Sequence, residues 1–113
     1  MNEKEGLIHI IGTDASGVNT LSPPIQEIIL SSNTIAASAR LLKKIPNWWS
    51  QKEEQKPLPK LFSTNNPTAL INCLKEEKQT SVVLASGDPL WFGIGRYLLE
   101  SLPNERLLFY PSP

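Results

Sequence analysis

Residues 81–95 are the part of the sequence that most limits the fold. They begin with an apolar, β-branched run over residues 81–85, which predicts a buried strand. The run breaks at Ser86-Gly87, and Asp88-Pro89 then predicts the start of a helix. Asp is a favoured N-cap, and proline loses no hydrogen bond in the first helical turn. A strand, a tight turn and a helix in this order predict one unit of an α/β protein.

The turn over residues 86–88 has a functional and a purely structural interpretation. Such a turn leaves backbone N–H groups free at the C-terminal end of a strand, where ligands bind in open α/β sheets. A well-capped connection with the same sequence would need no ligand. Gly93 and Gly95 favour the functional interpretation. Each glycine inside a helix costs about 1 kcal/mol relative to alanine, so a close approach of backbone or ligand would explain both.

Length, charge and cysteine content limit the class of protein. A chain of 113 residues makes one domain at most. Its 11 basic and 11 acidic side chains cancel, which argues against partners such as nucleic acid or an anionic membrane. The single Cys73 excludes an internal disulfide and a cysteine-only metal cluster, and it fits a reducing compartment. The first residues lack a signal peptide or membrane span, so the sequence predicts a cytoplasmic protein.

The rest of the chain alternates between strand and helix patterns. The other predicted strands are residues 7–11, 34–37 and 106–110, and the predicted helices are residues 22–30, 38–44, 66–78 and 88–100. Ser22 and Ser38 are the predicted N-caps of the first two helices. This alternation predicts an α/β fold: a mostly parallel open sheet of about four to five strands with helices on both faces.

Residues 46–67 predict a long surface loop, because Pro46 is expected to end the helix before it and further prolines follow. Leu61-Phe62 is expected to form a short extended piece within it. Two interpretations of the pair Trp48-Trp49 remain open. Exposed tryptophans would form the wall of a ligand or partner site, whereas packed ones would cover the edge of the domain.

A polar loop over residues 12–20 follows the first strand. Loops at this end of a strand commonly carry chemistry in α/β proteins. The loop lacks the GxGxxG spacing, because Asp14 stands where the second glycine would be, and a dinucleotide fingerprint is therefore not supported. His9, the only histidine, has no cysteine or second histidine to join it, so a structural or exposed-edge role is predicted rather than metal ligation.

Two segments, called here the two anchors, carry a resemblance to a known family, and their separation along the chain is compatible with it. They are the loop over residues 12–17, followed by residues 21–23, and the turn Ser86-Gly87-Asp88-Pro89. Together they resemble the tetrapyrrole (corrin and porphyrin) methylase family, which has a glycine-rich loop after its first strand and a Gly-Asp-Pro turn after a later one. The resemblance is closest to the precorrin-6Y C5,15-methyltransferase type, in its C5-methylating subunit. There the turn is followed by an aromatic residue and a sequence like residues 93–96.

The resemblance implies transfer of a methyl group from S-adenosylmethionine to a ring carbon of a corrin precursor in cobalamin biosynthesis. The electrophilic methyl must meet a nucleophilic carbon in line, so positioning and exclusion of water matter more than a covalent nucleophile. Carried over position by position, the residues that would contact S-adenosylmethionine are Ser86, Gly87, Asp88, Trp91 and Ala15. Asp14 is the candidate for a catalytic general base, and no metal is implied.

The resemblance also implies partners. Precorrins carry many carboxylates, with which Arg40, Lys43, Lys44 or Arg96 would pair; ordinary surface charge is the alternative for each. Family members have a second domain that supplies the other wall of the cofactor cleft, and a homodimer is compatible with the family. The expectation is therefore an N-terminal domain, weak or inactive as a methylase by itself.

Two other functions remain open. One keeps the fold but changes the substrate to a protein or an RNA, as in other members of the superfamily. The other is a non-catalytic α/β binding domain that uses Trp48-Trp49 as its contact surface.

Overall fold

Five parallel strands form one sheet. The computed structural model describes residues 6–13, 17–52, 56–86 and 94–110. The strands are β1 (Ile8–Thr13), β2 (Thr34–Ala37), β3 (Lys60–Ser63), β4 (Ser81–Ser86) and β5 (Leu107–Tyr110). Their order in the sheet is β3-β2-β4-β1-β5. The predicted α/β class, with a parallel sheet of four to five strands, is confirmed.

Five helices connect the strands within the described residues. They are α1 (Pro23–Leu30), α2 (Ala39–Leu42), α3 (Ile45–Lys52), α4 (Pro67–Glu76) and α5 (Ile94–Ser101), with short 3-10 turns at Gly17–Thr20 and Asn104–Arg106. In the part of the chain that the structure describes, no helix has the length and apolar character needed to cross a membrane.

The helices cover both faces of the sheet and build two cores. On the first face, α1, α2 and α3 pack against Ile11 and Leu84. On the second face, α4 and α5 pack against Ile10 and Val83. Neighbouring residues of one strand point to opposite faces, so the continuous apolar run of each central strand supplies both cores.

Local signals explain where most helices begin. The Ser38 side chain accepts a hydrogen bond from the Leu41 N–H at 3.4 Å and caps α2, as predicted. Asn66 accepts from the Ala69 N–H at 3.2 Å and caps α4. Ser22 occupies the predicted N-cap position of α1, but its side chain makes no capping hydrogen bond.

The prediction of a long surface loop over residues 46–67 is wrong. Pro46 does not end a helix: it lies in the first turn of α3, a position where the missing N–H would have no partner anyway. The expected extended piece at Leu61-Phe62 is confirmed as part of β3, which pairs in parallel with β2. The segment therefore adds a helix and an edge strand to the domain.

Trp48 and Trp49 are core residues, with 3% and 4% of their surface exposed. Their rings meet edge to face with centroids 6.4 Å apart. The Trp49 Nε1–H donates to the Lys56 carbonyl at 3.1 Å. The interpretation of this pair as an exposed ligand wall or contact surface is therefore wrong, and the packing interpretation is confirmed. The binding-domain alternative loses the surface on which it was based.

A buried arginine joins three segments at the edge of the sheet where the strands begin. Arg106 is only 4% exposed. Its Nε donates to the Gly6 carbonyl at 2.9 Å, and its Nη2 donates to the carbonyls of Leu74 at 2.9 Å and Glu77 at 3.1 Å. The last two carbonyls belong to the C-terminal end of α4, where the helix dipole favours a cation. Arg106 thus fastens the entry to β1 and the end of α4 to the start of β5.

Candidate functional site

The candidate site lies where the chain leaves β1 and β4. These strands are neighbours in the sheet, but β1 leads to α1 on the first face and β4 leads to α5 on the second. Connections that diverge from adjacent parallel strands open a crevice at the carboxyl ends of the strands. In open α/β sheets this switch point is the usual place for a ligand.

The strand register brings the ends of the two anchor strands together. Thr13, the last residue of β1, is the pairing partner of Ser86, the last residue of β4. The buried Thr13 hydroxyl lies 3.5 Å from the Ala85 carbonyl, a long hydrogen bond across the same junction. The loop after β1 and the turn after β4 therefore leave the sheet from adjacent positions.

Of the predicted site residues, Ser86 is placed at the end of β4. The other candidates lie outside the described residues, as does the predicted helix start at Asp88: they are Asp14, Ala15, Gly87, Asp88 and Trp91. Their roles stay predictions. Gly95, one of the two helix glycines, is buried in α5.

A cavity of about 260 Å³ lies on the side of β1 away from β4, toward β5 and the start of α1. Its lining is mostly apolar and consists of Ile11, Gly12, Leu21, Ser22, Ile25, Phe109 and Tyr110. Sequence reasoning missed the contribution of β5, because nothing local indicates that residues 107–110 pair with β1. The apolar run within residues 106–110 predicts a strand, but it does not indicate which strand it pairs with.

His9 and Tyr110 form a hydrogen-bonded pair beside this cavity. The His9 Nδ1 and the Tyr110 hydroxyl are 2.8 Å apart, and the ring centroids are 5.6 Å apart. Burial lowers the pKa of His9 and raises the pKa of Tyr110. The Nδ1 of the neutral imidazole can then accept a hydrogen bond from the Tyr110 hydroxyl, which holds the Tyr110 ring against the cavity. This contact agrees with the structural role predicted for His9, and no cluster of three potential metal ligands occurs among the described residues.

The His9 environment predicts acid sensitivity. Because burial holds the pKa of His9 below its ordinary value of 6.5, the unfolded chain binds this proton more readily than the folded one. Stabilisation by neutral His9 is complete above pH 6.5 and is lost as pH falls toward the lower folded pKa. We expect the melting temperature of the wild type to drop between pH 7 and pH 5 more than that of His9→Gln. If differential scanning calorimetry gives the same dependence of melting temperature on pH for both proteins, the assignment of this acid sensitivity to His9 is contradicted.

The four basic residues predicted to pair with substrate carboxylates differ in their surroundings. Arg96 forms an exposed ion pair with Glu100, four residues on, with an N–O distance of 3.6 Å. Three exposed cations, Arg40, Lys43 and Lys44, lie in α2 and directly after it, and none of them has an ion-pair partner among the described residues.

Comparison with known proteins identifies a solved structure with a similar fold. No family model matches the sequence, and no curated protein matches it. Among solved structures, the crystal structure of the methyltransferase CobJ is similar, with a TM-score of 0.52 and 17% sequence identity. The match covers 96% of this chain and 46% of CobJ. The chain therefore shares the α/β fold of a methyltransferase and spans just under half the length of that protein.

Proposed function

We propose that this chain is the N-terminal α/β domain of a cytoplasmic, S-adenosylmethionine-dependent methyltransferase that acts on a precorrin in cobalamin biosynthesis. Within the tetrapyrrole methylases, the proposal favours the precorrin-6Y C5,15-methyltransferase type. The observation that carries it is the pairing of Thr13 with Ser86. This pairing puts the strand ends from which the two family-like segments start next to each other at the switch point of the sheet, in a fold similar to that of a methyltransferase.

The described part of the site fits a portion of S-adenosylmethionine. The cavity of about 260 Å³ lies just under the range of roughly 300–1,000 Å³ usual for small-molecule pockets. Its apolar walls and the small Gly12 suit the uncharged adenine ring rather than the charged sulfonium or amino-acid end. The proposed holding residues are Ser86, Gly87, Asp88, Trp91 and Ala15.

When bound, S-adenosylmethionine supplies an electrophilic methyl group. The residues of this chain would orient the reactants and exclude water, and small residues and aromatics are adequate for that work. Asp14 is the proposed general base at the substrate carbon. A catalytic nucleophile from the protein is not required.

A second domain is part of the proposal. The chain spans 46% of CobJ, and the cavity of about 260 Å³ is partly open rather than enclosed by the residues that line it. We propose that a further α/β domain supplies the opposite wall and that the 113-residue chain has weak or no methylase activity alone. Turnover at the rate of a two-domain methylase by this chain alone would contradict that part.

The test is calorimetric titration with S-adenosylhomocysteine. We expect the double variant Gly87→Ala/Asp88→Asn to bind at least about tenfold more weakly than the wild type, because loss of one turn hydrogen bond to a charged ligand group costs about 1.5–3 kcal/mol. Glu105→Gln, an exposed carboxyl change at the opposite edge of the sheet, is the matched control and should leave binding unchanged. Absence of binding in a longer protein that includes the second domain would refute the methylase proposal.

A further inference from the structure

We propose that Arg40, Lys43 and Lys44 form a carboxylate-binding surface, named here the α2 basic face, which receives the acidic ring substituents of the tetrapyrrole. This inference rests on the proposed function and deepens it, because it assigns the substrate side of the site to particular residues. It starts from charge and position in the fold.

Charge is unevenly distributed in a chain that is neutral overall. No acidic residue occurs between Glu27 and Glu53, and this interval holds four of the 11 basic residues: Arg40, Lys43, Lys44 and Lys52. Three of the four stand within five positions of one another. A local positive surface therefore exists although the net charge is zero.

Backbone geometry places these three cations on one face. Their spacing is i, i+3, i+4, which aligns side chains along a helix. The helical path continues past α2, because the Lys43 N–H bonds to the Ala39 carbonyl at 3.2 Å and the Lys44 N–H bonds to the Leu41 carbonyl at 3.0 Å. Leu41 is buried on the other side and anchors the turn in the first core. The α2 basic face is thus exposed on a fixed support.

Its position is next to the crevice. β2 ends at Ala37, and α2 begins two residues later at the same edge of the sheet. β2 pairs with β4, the strand that ends at Ser86. A planar ligand at the switch point would therefore extend its substituents over the end of β2 and toward the α2 basic face.

The observations favour carboxylates on a ring over a single-stranded RNA. Proteins that bind single strands combine a basic groove with exposed aromatic side chains on which bases stack. The two aromatic residues nearest to the α2 basic face in sequence, Trp48 and Trp49, are buried in the core. In the part of the chain that the structure describes, exposed cations beside two buried tryptophans suit scattered carboxylates, each paired weakly at the surface.

The probe is uroporphyrin I, a tetrapyrrole with eight carboxylates, titrated into the chain and followed by porphyrin absorbance. The test variant is Arg40→Gln/Lys43→Gln/Lys44→Gln. The matched control, Lys60→Gln/Lys75→Gln/Lys78→Gln, removes the same charge from exposed lysines elsewhere. We expect about tenfold weaker binding in the test variant and less than a twofold change in the control. Circular dichroism checks that both variants are folded.

Four outcomes decide the inference. Equal affinity in the wild type and the test variant overturns it, and so does an equal loss in the control, which would mean nonspecific attraction. Tighter binding of a 20-nucleotide single-stranded RNA than of uroporphyrin, lost in the test variant, overturns the carboxylate assignment. A selective loss of uroporphyrin binding supports it, even where S-adenosylhomocysteine titration of the same proteins fails. The methylase proposal would be refuted separately, by absence of S-adenosylhomocysteine binding in a longer protein that includes the second domain.

Discussion

Replacing Arg106 with methionine is expected to lower the free energy of unfolding by about 3 kcal/mol or more. Methionine fills much of the same space but donates no hydrogen bond, so the carbonyls of Gly6, Leu74 and Glu77 lose their charged partner. Hydrogen bonds to charged groups contribute about 1.5–3 kcal/mol each, and a buried acceptor left without a partner adds a desolvation cost. Urea unfolding followed by circular dichroism measures the change.

Arg96→Met is the matched control for this effect. Arg96 is exposed, and its pair with Glu100 is an i, i+4 surface contact, which contributes about 0.3–0.5 kcal/mol. A loss of stability in Arg106→Met no greater than that in Arg96→Met would show that the buried arginine does not fasten the three segments.

Gly6→Ala is expected to cost about 2–3 kcal/mol, a large effect for the addition of one methyl group. A Cβ at this position would overlap the carbonyl oxygen of Gln79. That oxygen belongs to the backbone, so it cannot rotate away as the end of a flexible side chain could. Forcing extra volume into a close contact shifts the backbone and typically costs about 1–3 kcal/mol. Here the shift also displaces the Gly6 carbonyl that Arg106 holds.

Leu7→Ala tests whether the effect is specific to position 6. Leu7 is the next residue and is 43% exposed, so its truncation should cost less than about 1 kcal/mol. The double variant Gly6→Ala/Arg106→Met should lose less stability than the sum of the two single changes, because both disrupt one junction. If the losses in free energy of unfolding, measured with urea, add fully in the double variant, the two residues do not belong to one junction.

Local signals in the sequence predicted the elements they control. The bounds of β2 were predicted correctly, because an apolar run is enclosed between Asn33 and the capping Ser38. Pro46 misled the prediction, since proline ends a helix from within but is accepted in the first turn. The burial of Trp48 and Trp49 depends on packing against the sheet, which no local pattern shows.

The site was predictable in its parts but not in its arrangement. Strand ends and polar loops located the two anchors along the chain, whereas their meeting depends on the pairing of Thr13 with Ser86, 73 positions away. The role of Arg106 was missed for a similar reason. Its partners, Gly6, Leu74 and Glu77, lie far from it in sequence. Each of these features requires the order of strands in the sheet, which periodicity alone does not provide.

The place of β1 in the sheet also constrains how the chain can fold during synthesis. β1 is synthesised before the other four strands, yet among the described residues its partners are β4 and β5, so that Ile8 pairs with Ser81 on one side and Leu107 on the other. A nascent chain on the ribosome therefore carries β1 with both edges unpaired until residues 81–110 have emerged. Pairings so distant in sequence slow folding, and an unpaired apolar strand can pair with other chains. The interval before β5 appears is thus the period in which this protein is most exposed to aggregation.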